Sequence, residues 1–111
     1  MEIKQGATVP LLFPAEDSSG VPYDLTTLTE VCFLLVGAGS RVEKHAGDSG
    51  FAIVDYDGHT NNALSITLSP AETAPLRPGK IYRYWAWGRG VDGDDVIADG
   101  DAEVIHTERC L

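Results

Sequence analysis

The chain has 111 residues, 43% hydrophobic and 23% charged, which suits one globular domain and excludes both a disordered chain and two ordinary domains. Its 17 acidic residues against 8 basic ones leave a formal charge of -9, which argues against a nucleic-acid binder because phosphate recognition needs clustered positive charge. The longest apolar stretch, Val31 to Val36, is strand length and far short of the roughly 20 residues that cross a bilayer, so no membrane partner is expected either.

Met1-Glu2-Ile3-Lys4-Gln5 lacks the apolar segment of a secretion signal, so synthesis and first residence in the cytoplasm are expected. The first apolar run, Ile3 to Phe13, is predicted to break or bulge at Gly6. Pro10 places part of it on a sheet edge, because proline cannot donate to a ladder. Within it Val9, Leu11 and Phe13 alternate with Pro10 and Leu12. Ala15 to Pro22 is polar and reads as an exposed turn, and Tyr23-Asp24-Leu25-Thr26 returns to the core with Leu25 dropped inward. Glu30 to Val36 is the next strand: Val31, Phe33 and Leu35 point one way, Cys32, Leu34 and Val36 the other. Two apolar faces predict a central strand, covered on both sides or covered by a partner. Gly37-Ala38-Gly39-Ser40 turns the chain into a more polar strand, Arg41 to His45. After the turn Ala46 to Gly50 comes a strand over Phe51 to Tyr56, and Asp57-Gly58 and Asn61-Asn62 bracket an expected exposed loop.

Ala63 to Leu68 alternates, with Leu64, Ile66 and Leu68 inward. Ser69-Pro70-Ala71-Glu72 carries the signals of a helix start, and Pro75 and Pro78 hold it to about one turn. Pro78-Gly79 makes a tight turn into the aromatic strand Lys80 to Trp87. There Tyr82, Tyr84 and Ala86 share one face and Ile81, Arg83, Trp85 and Trp87 the other. Gly88 to Asp95 reads as a hairpin connection and Val96 to His106 as the closing strand, with a bulge expected at Gly100. The sum is an all-β, two-sheet sandwich of about seven strands with one short helical turn, a single domain over 1–111.

Little in this pattern points to catalysis. His45, His59 and His106 have no metal-ligand spacing, so no metal site and no cofactor are expected. Asp92, Asp94, Asp95, Asp99 and Asp101 invite a calcium reading. With Asp95 as first ligand, however, Ile97 falls at the third position and His106 at the twelfth, and Asp-rich hairpins need no ion. Asp55-Tyr56-Asp57 fails similarly, since Thr60 stands where the turn glycine belongs. Serine-nucleophile motifs are absent, and Gly37-Ala38-Gly39 precedes a polar strand where a phosphate loop needs a helix, so the chain is not expected to be an enzyme. Cys32 reads as a small core residue and Cys110 as exposed, with a bridge between them left open. Arg83, Trp85 and Trp87 are the best binding candidates. As a ladder they would stack a sugar or bury a protein partner. As structure, Trp85 would be core and Trp87 would cover the sandwich edge, which is the expectation, since a small sandwich needs large inward residues.

The order of these segments resembles the small Ig-like modules of tailed-phage and prophage virion proteins, including the N-terminal module of baseplate upper proteins. Gly20-Val21-Pro22-Tyr23-Asp24-Leu25-Thr26 is similar to that family's Gly-x-Pro-x-Asp-Leu-Thr element, and Val31 to Leu35 follows as the central strand. Leu64 to Ala74 resembles its strand followed by a helical turn, Pro78-Gly79-Lys80-Ile81-Tyr82-Arg83-Tyr84 its Pro-Gly-x-Tyr strand, and Asp99 to Val104 its closing strand. The resemblance implies an Ig-like β-sandwich working as a non-enzymatic virion structural protein. Its partners would be other virion proteins, of capsid or tail, with self-association left open and localisation in the virion. One face, or the edge strand near Pro10 to Phe13 with Pro10 and Leu12 as its candidate contacts, would pack on the partner, and many weak contacts would sum through multivalency. In the family such a module is often fused to a fibre-forming region, whereas here the chain stops at Leu111, so a decoration, connector-associated or baseplate-accessory subunit is expected. The alternative is a carbohydrate-binding Ig-like module using Tyr84, Trp85 and Trp87.

Overall fold

The alternating apolar runs pair into two sheets whose inward rows close on each other. A computed structural model describes residues 1–17, 19–90 and 93–106, with Asp94 and Asp95 described by their backbone alone. Eight strands are found among the described residues: β1 (Glu2–Lys4), β2 (Val9–Pro14), β3 (Glu30–Gly37), β4 (Ser40–His45), β5 (Phe51–Tyr56), β6 (His59–Leu68), β7 (Ile81–Gly90) and β8 (Gly93–Ile105). One sheet has the order β1-β8-β7-β3-β4 and the other β2-β6-β5. The pair β1–β8 is parallel and all others antiparallel. A three-strand sheet facing one that carries the last hairpin and the β3–β4 pair is the arrangement of an Ig-like sandwich. No helix among the described residues is long and apolar enough to cross a membrane.

Two local features belong to the same architecture. The Tyr82 hydroxyl, near the start of β7, accepts a hydrogen bond from the Arg77 backbone N–H at 3.0 Å, the tie that pins the corner before this strand in Ig-like domains. Two residues later, where antibody domains carry the second bridging cysteine, stands Tyr84. Phe13 stacks on Phe33 at 5.8 Å and on Tyr84 at 5.6 Å, so an aromatic trio on β2, β3 and β7 joins the sheets without a disulfide. Cys32 is a free thiol, and Cys110 lies outside the described residues.

The extra strand comes from the first apolar run. It divides at Gly6, whose φ of 74° turns the chain sharply enough to put β1 in one sheet and β2 in the other. As Pro10 predicts, β2 is an edge strand. Leu25, in the 3-10 turn Leu25–Thr27 capped by Asp24, is fully buried, as expected. The helical turn α1 (Pro70–Thr73) closes a capping box between Ser69 and Glu72.

Three expectations need correction. The loop foreseen after Tyr56 is a two-residue turn, and His59 to Asn62 already belong to β6, with Asn62 buried and its side chain accepting from the Tyr56 N–H at 2.8 Å. The closing hairpin is tighter than Gly88 to Asp95, because β7 runs to Gly90 and β8 starts at Gly93. The bulge lies at Ile97, between the pairs Trp87↔Val96 and Ala86↔Ala98. Gly100 sits in regular register opposite Tyr84, where a β-carbon would come within 2.9 Å of the tyrosine hydroxyl. Its missing side chain makes room for the inward ring.

Candidate functional site

Alternation along β7 sends Tyr82 and Ala86 into the interior, with half-buried Tyr84 packed against it, and sends Arg83, Trp85, Trp87 and Arg89 out. The expectation that Trp85 is core is therefore overturned: both tryptophans are half-buried on the outer face of the five-stranded sheet. Which face turns inward is decided by space. Gly37 and Gly100 lie against the Tyr82 and Tyr84 rings, and the Tyr82 hydroxyl finds its partner in the corner, whereas the Trp85 row meets a charged neighbour, Asp99.

On the outer face the strand register builds rows. Trp85 stands between Asp99 on β8 and Leu34 on β3, Trp87 between Val96 and Cys32, and Arg83 between Asp101 and Val36. Arg83 donates to Asp99 at 2.7 Å and to Asp101 at 3.3 Å. These exposed pairs add little stability but hold the guanidinium in place. The Arg83 guanidinium carbon lies 5.7 Å from the Trp85 ring centre and that of Arg89 lies 6.0 Å from Trp87, both within cation–π range. Ile81 and Val96 extend the apolar strip and are 59% and 64% exposed. The site residues foreseen from sequence thus fall in two places. Arg83, Trp85 and Trp87 come together here, while Pro10 and Leu12 are exposed on β2, on the outer face of the opposite sheet. Tyr84 faces the interior and shares no platform with the tryptophans.

A second group on this outer face escaped sequence reasoning. Cys32 pairs with His45 across β3 and β4, and Leu34 pairs with Glu43. The Cys32 sulfur lies 3.9 Å from His45 Nε2, Glu43 Oε1 lies 3.1 Å from the same nitrogen, and Glu30 Oε1 lies 3.8 Å from Nδ1. His45 is not isolated, as its place in the sequence suggests. The signal was present in the two-residue turn Ala38-Gly39, because counting outward from the Gly37↔Ser40 pair puts Cys32 opposite His45. Burial pushes the Cys32 thiol up to about 11, and the Glu43 and Glu30 charges add to it. Hydrogen bonds from Arg41 and then His45 hold the Glu43 carboxyl below its ordinary value.

The inner side of β4 holds a different charge. Lys44 is buried, donates to the Ser49 carbonyl and pairs with Glu72 at 3.0 Å. It borders an open hollow of about 600 Å³ that Thr8, Gly50 and Thr67 also line. Burial pushes the Glu72 carboxyl up, but hydrogen bonds from the Ser69 backbone, Lys44 and the Ser69 hydroxyl outweigh it, and the group sits below its ordinary value. Both charges answer each other and α1, so this pair reads as a structural tie.

No family model matches the chain, and no curated protein does. Among solved structures it is similar to murine CRIg, with 97% of this chain and 92% of that one covered, 11% identity and a TM-score of 0.40. That likeness is distant, and the Ig-like strand order stands on the hydrogen-bonded register alone.

Proposed function

We propose that this chain is a non-enzymatic binding module that docks on another protein through the outer face of its five-stranded sheet. We further propose that it does so in a tailed-phage virion, as a capsid- or tail-associated subunit. The observation that carries the docking surface is the outward ladder Arg83, Trp85, Trp87 and Arg89, continued by exposed Ile81 and Val96. Tryptophan and arginine in contact are the side chains that dominate protein interfaces, and the apolar strip beside them supplies area to bury. Acidic Asp99 and Asp101 at its margin, in a chain of charge -9, favour a partner with a basic rim around an apolar centre. The virion setting rests on the resemblance of the ordered sequence elements.

Sugar stacking is the competing use of the same tryptophans. A sugar platform needs open ring faces, and here a guanidinium packs at each ring while Tyr84 points away. Protein docking is the better fit.

Mass spectrometry of separated heads and tails from purified particles of the encoding phage or prophage tests the setting. Recovery with either fraction supports it, and recovery with neither overturns it. Particles assembled with Trp85→Ala plus Trp87→Ala test the surface: the folded variant should be lost from the particle, and undiminished incorporation would contradict docking through this face.

A further inference from the structure

We propose that Cys32, Glu43 and His45 form a mononuclear zinc site on the outer face of the sheet, with Glu30 orienting the histidine from behind. The donor set comes from two adjacent strands in fixed register, so the backbone has already placed the three side chains on one face. Cys32 Sγ, a Glu43 carboxylate oxygen and a His45 ring nitrogen lie within 4.8 Å of one another. Around tetrahedral zinc, with bonds of about 2.0 to 2.3 Å, neighbouring donors stand roughly 3.3 to 3.6 Å apart. Sulfur to Nε2 is 3.9 Å and Oε1 to Nε2 is 3.1 Å, while sulfur and the carboxylate oxygen are within 4.8 Å, so the donors would draw together around the ion.

The roles of the two ring nitrogens are already divided. Sulfur and carboxylate both face Nε2, while Glu30 faces Nδ1 at 3.8 Å. At 3.8 Å Glu30 is beyond hydrogen-bond reach, and on metal binding it would close on the Nδ1 proton, the contact that fixes a ligating histidine's tautomer and raises its basicity. Arg41 pairs with the other Glu43 oxygen, Oε2, at 3.3 Å and leaves Oε1 turned toward the histidine. The Asp48 carboxylate accepts from the His45 backbone N–H at 2.7 Å and pins the strand end. Thiolate and imidazole with a single carboxylate suit zinc and not calcium or magnesium, which take oxygen donors. On binding, the Cys32 thiol proton passes to solvent and the thiolate bonds the metal. Glu43 and His45 are 40% and 43% exposed at the side chain, so an ion reaches the buried Cys32 sulfur from their side.

Cobalt(II) is the probe, added to the full metal-free chain and then displaced with zinc. The expected result is one equivalent per chain, with tetrahedral visible bands and a thiolate-to-cobalt charge-transfer band that zinc abolishes. Cys32→Ser should remove the charge-transfer band and Cys110→Ser should keep it. His45→Gln and Glu43→Gln, at half-exposed positions that leave the core intact, should end stoichiometric binding. Glu30→Gln should weaken it about 10- to 100-fold. No charge-transfer band in the wild-type chain overturns the site, as does a band that survives Cys32→Ser or disappears in Cys110→Ser. If Cys32→Ser fails to fold, unchanged binding in folded His45→Gln overturns it equally.

Discussion

The two faces of the five-stranded sheet carry similar chemistry and opposite duties. On β7 the inward row is Tyr82, Tyr84 and Ala86, and the outward row is Arg83, Trp85 and Trp87. Both rows are aromatic. The inward rings lie against glycines, Tyr84 stacks on Phe13, and the Tyr82 hydroxyl finds its partner in the corner at Arg77. The outward rings lie beside guanidinium groups and a carboxylate fringe. Each face also has a cation with a carboxylate. Lys44, on the inner side, is sealed and paired with Glu72, whereas Arg83 on the outer side is about half exposed with Asp99 and Asp101. Aromatic content alone does not make a core: a ring goes inward where small neighbours leave it space and its polar atoms find partners.

Substitutions should separate the faces, and the largest effect belongs to the interior. Phe33→Ala removes a fully buried ring from the aromatic trio and should cost about 3 to 5 kcal/mol, read from urea unfolding. Gly100→Val drives a side chain into the Tyr84 ring and should cost about 1 to 3 kcal/mol in the same assay. Glu72→Gln leaves Lys44 without its counter-charge and should cost about 1 to 2 kcal/mol, the partial exposure of Glu72 reducing what a sealed pair would lose. Because the folded Glu72 carboxyl lies below its ordinary 4.5, its contribution is complete above that pH and is lost as pH falls through the lower folded value. The glutamine variant should therefore show a shallower acid slope of stability than the wild type. Trp85→Ala, on the outer face, should change stability by less than about 1 kcal/mol while weakening docking. A loss as large as that of Phe33→Ala would erase the distinction between the faces.

The layered architecture was legible because strand periodicity, turn glycines and the Ser69 to Glu72 cap all agree on it. Alternation also divides the residues of β7 correctly into two rows, but it is symmetric and does not say which row is inside. The asymmetry lay in Gly37 and Gly100, residues on other strands whose relevance depends on register. Gly100 was legible as special, but its reason is room for a ring and not a bulge. Cys32 and His45 were hidden for a related cause. Metal ligands on adjacent strands have no fixed sequence spacing, and only the two-residue turn between β3 and β4 puts them opposite each other. Pro10 and Leu12 were correctly placed on an edge strand, while their position on the opposite sheet from the tryptophans follows only from the crossing at Gly6.

The most direct test of the outward placement of the two tryptophans is acrylamide quenching of tryptophan fluorescence in the dilute protein. The chain has two tryptophans, and both stand on that face, so the whole signal reports it. Emission red-shifted from that of a sealed core, with partial quenching that fits half-buried rings, is the predicted result. Blue-shifted emission shielded from acrylamide at every dilution would mean that Trp85 and Trp87 are core, and would contradict the assignment of this face as the docking surface.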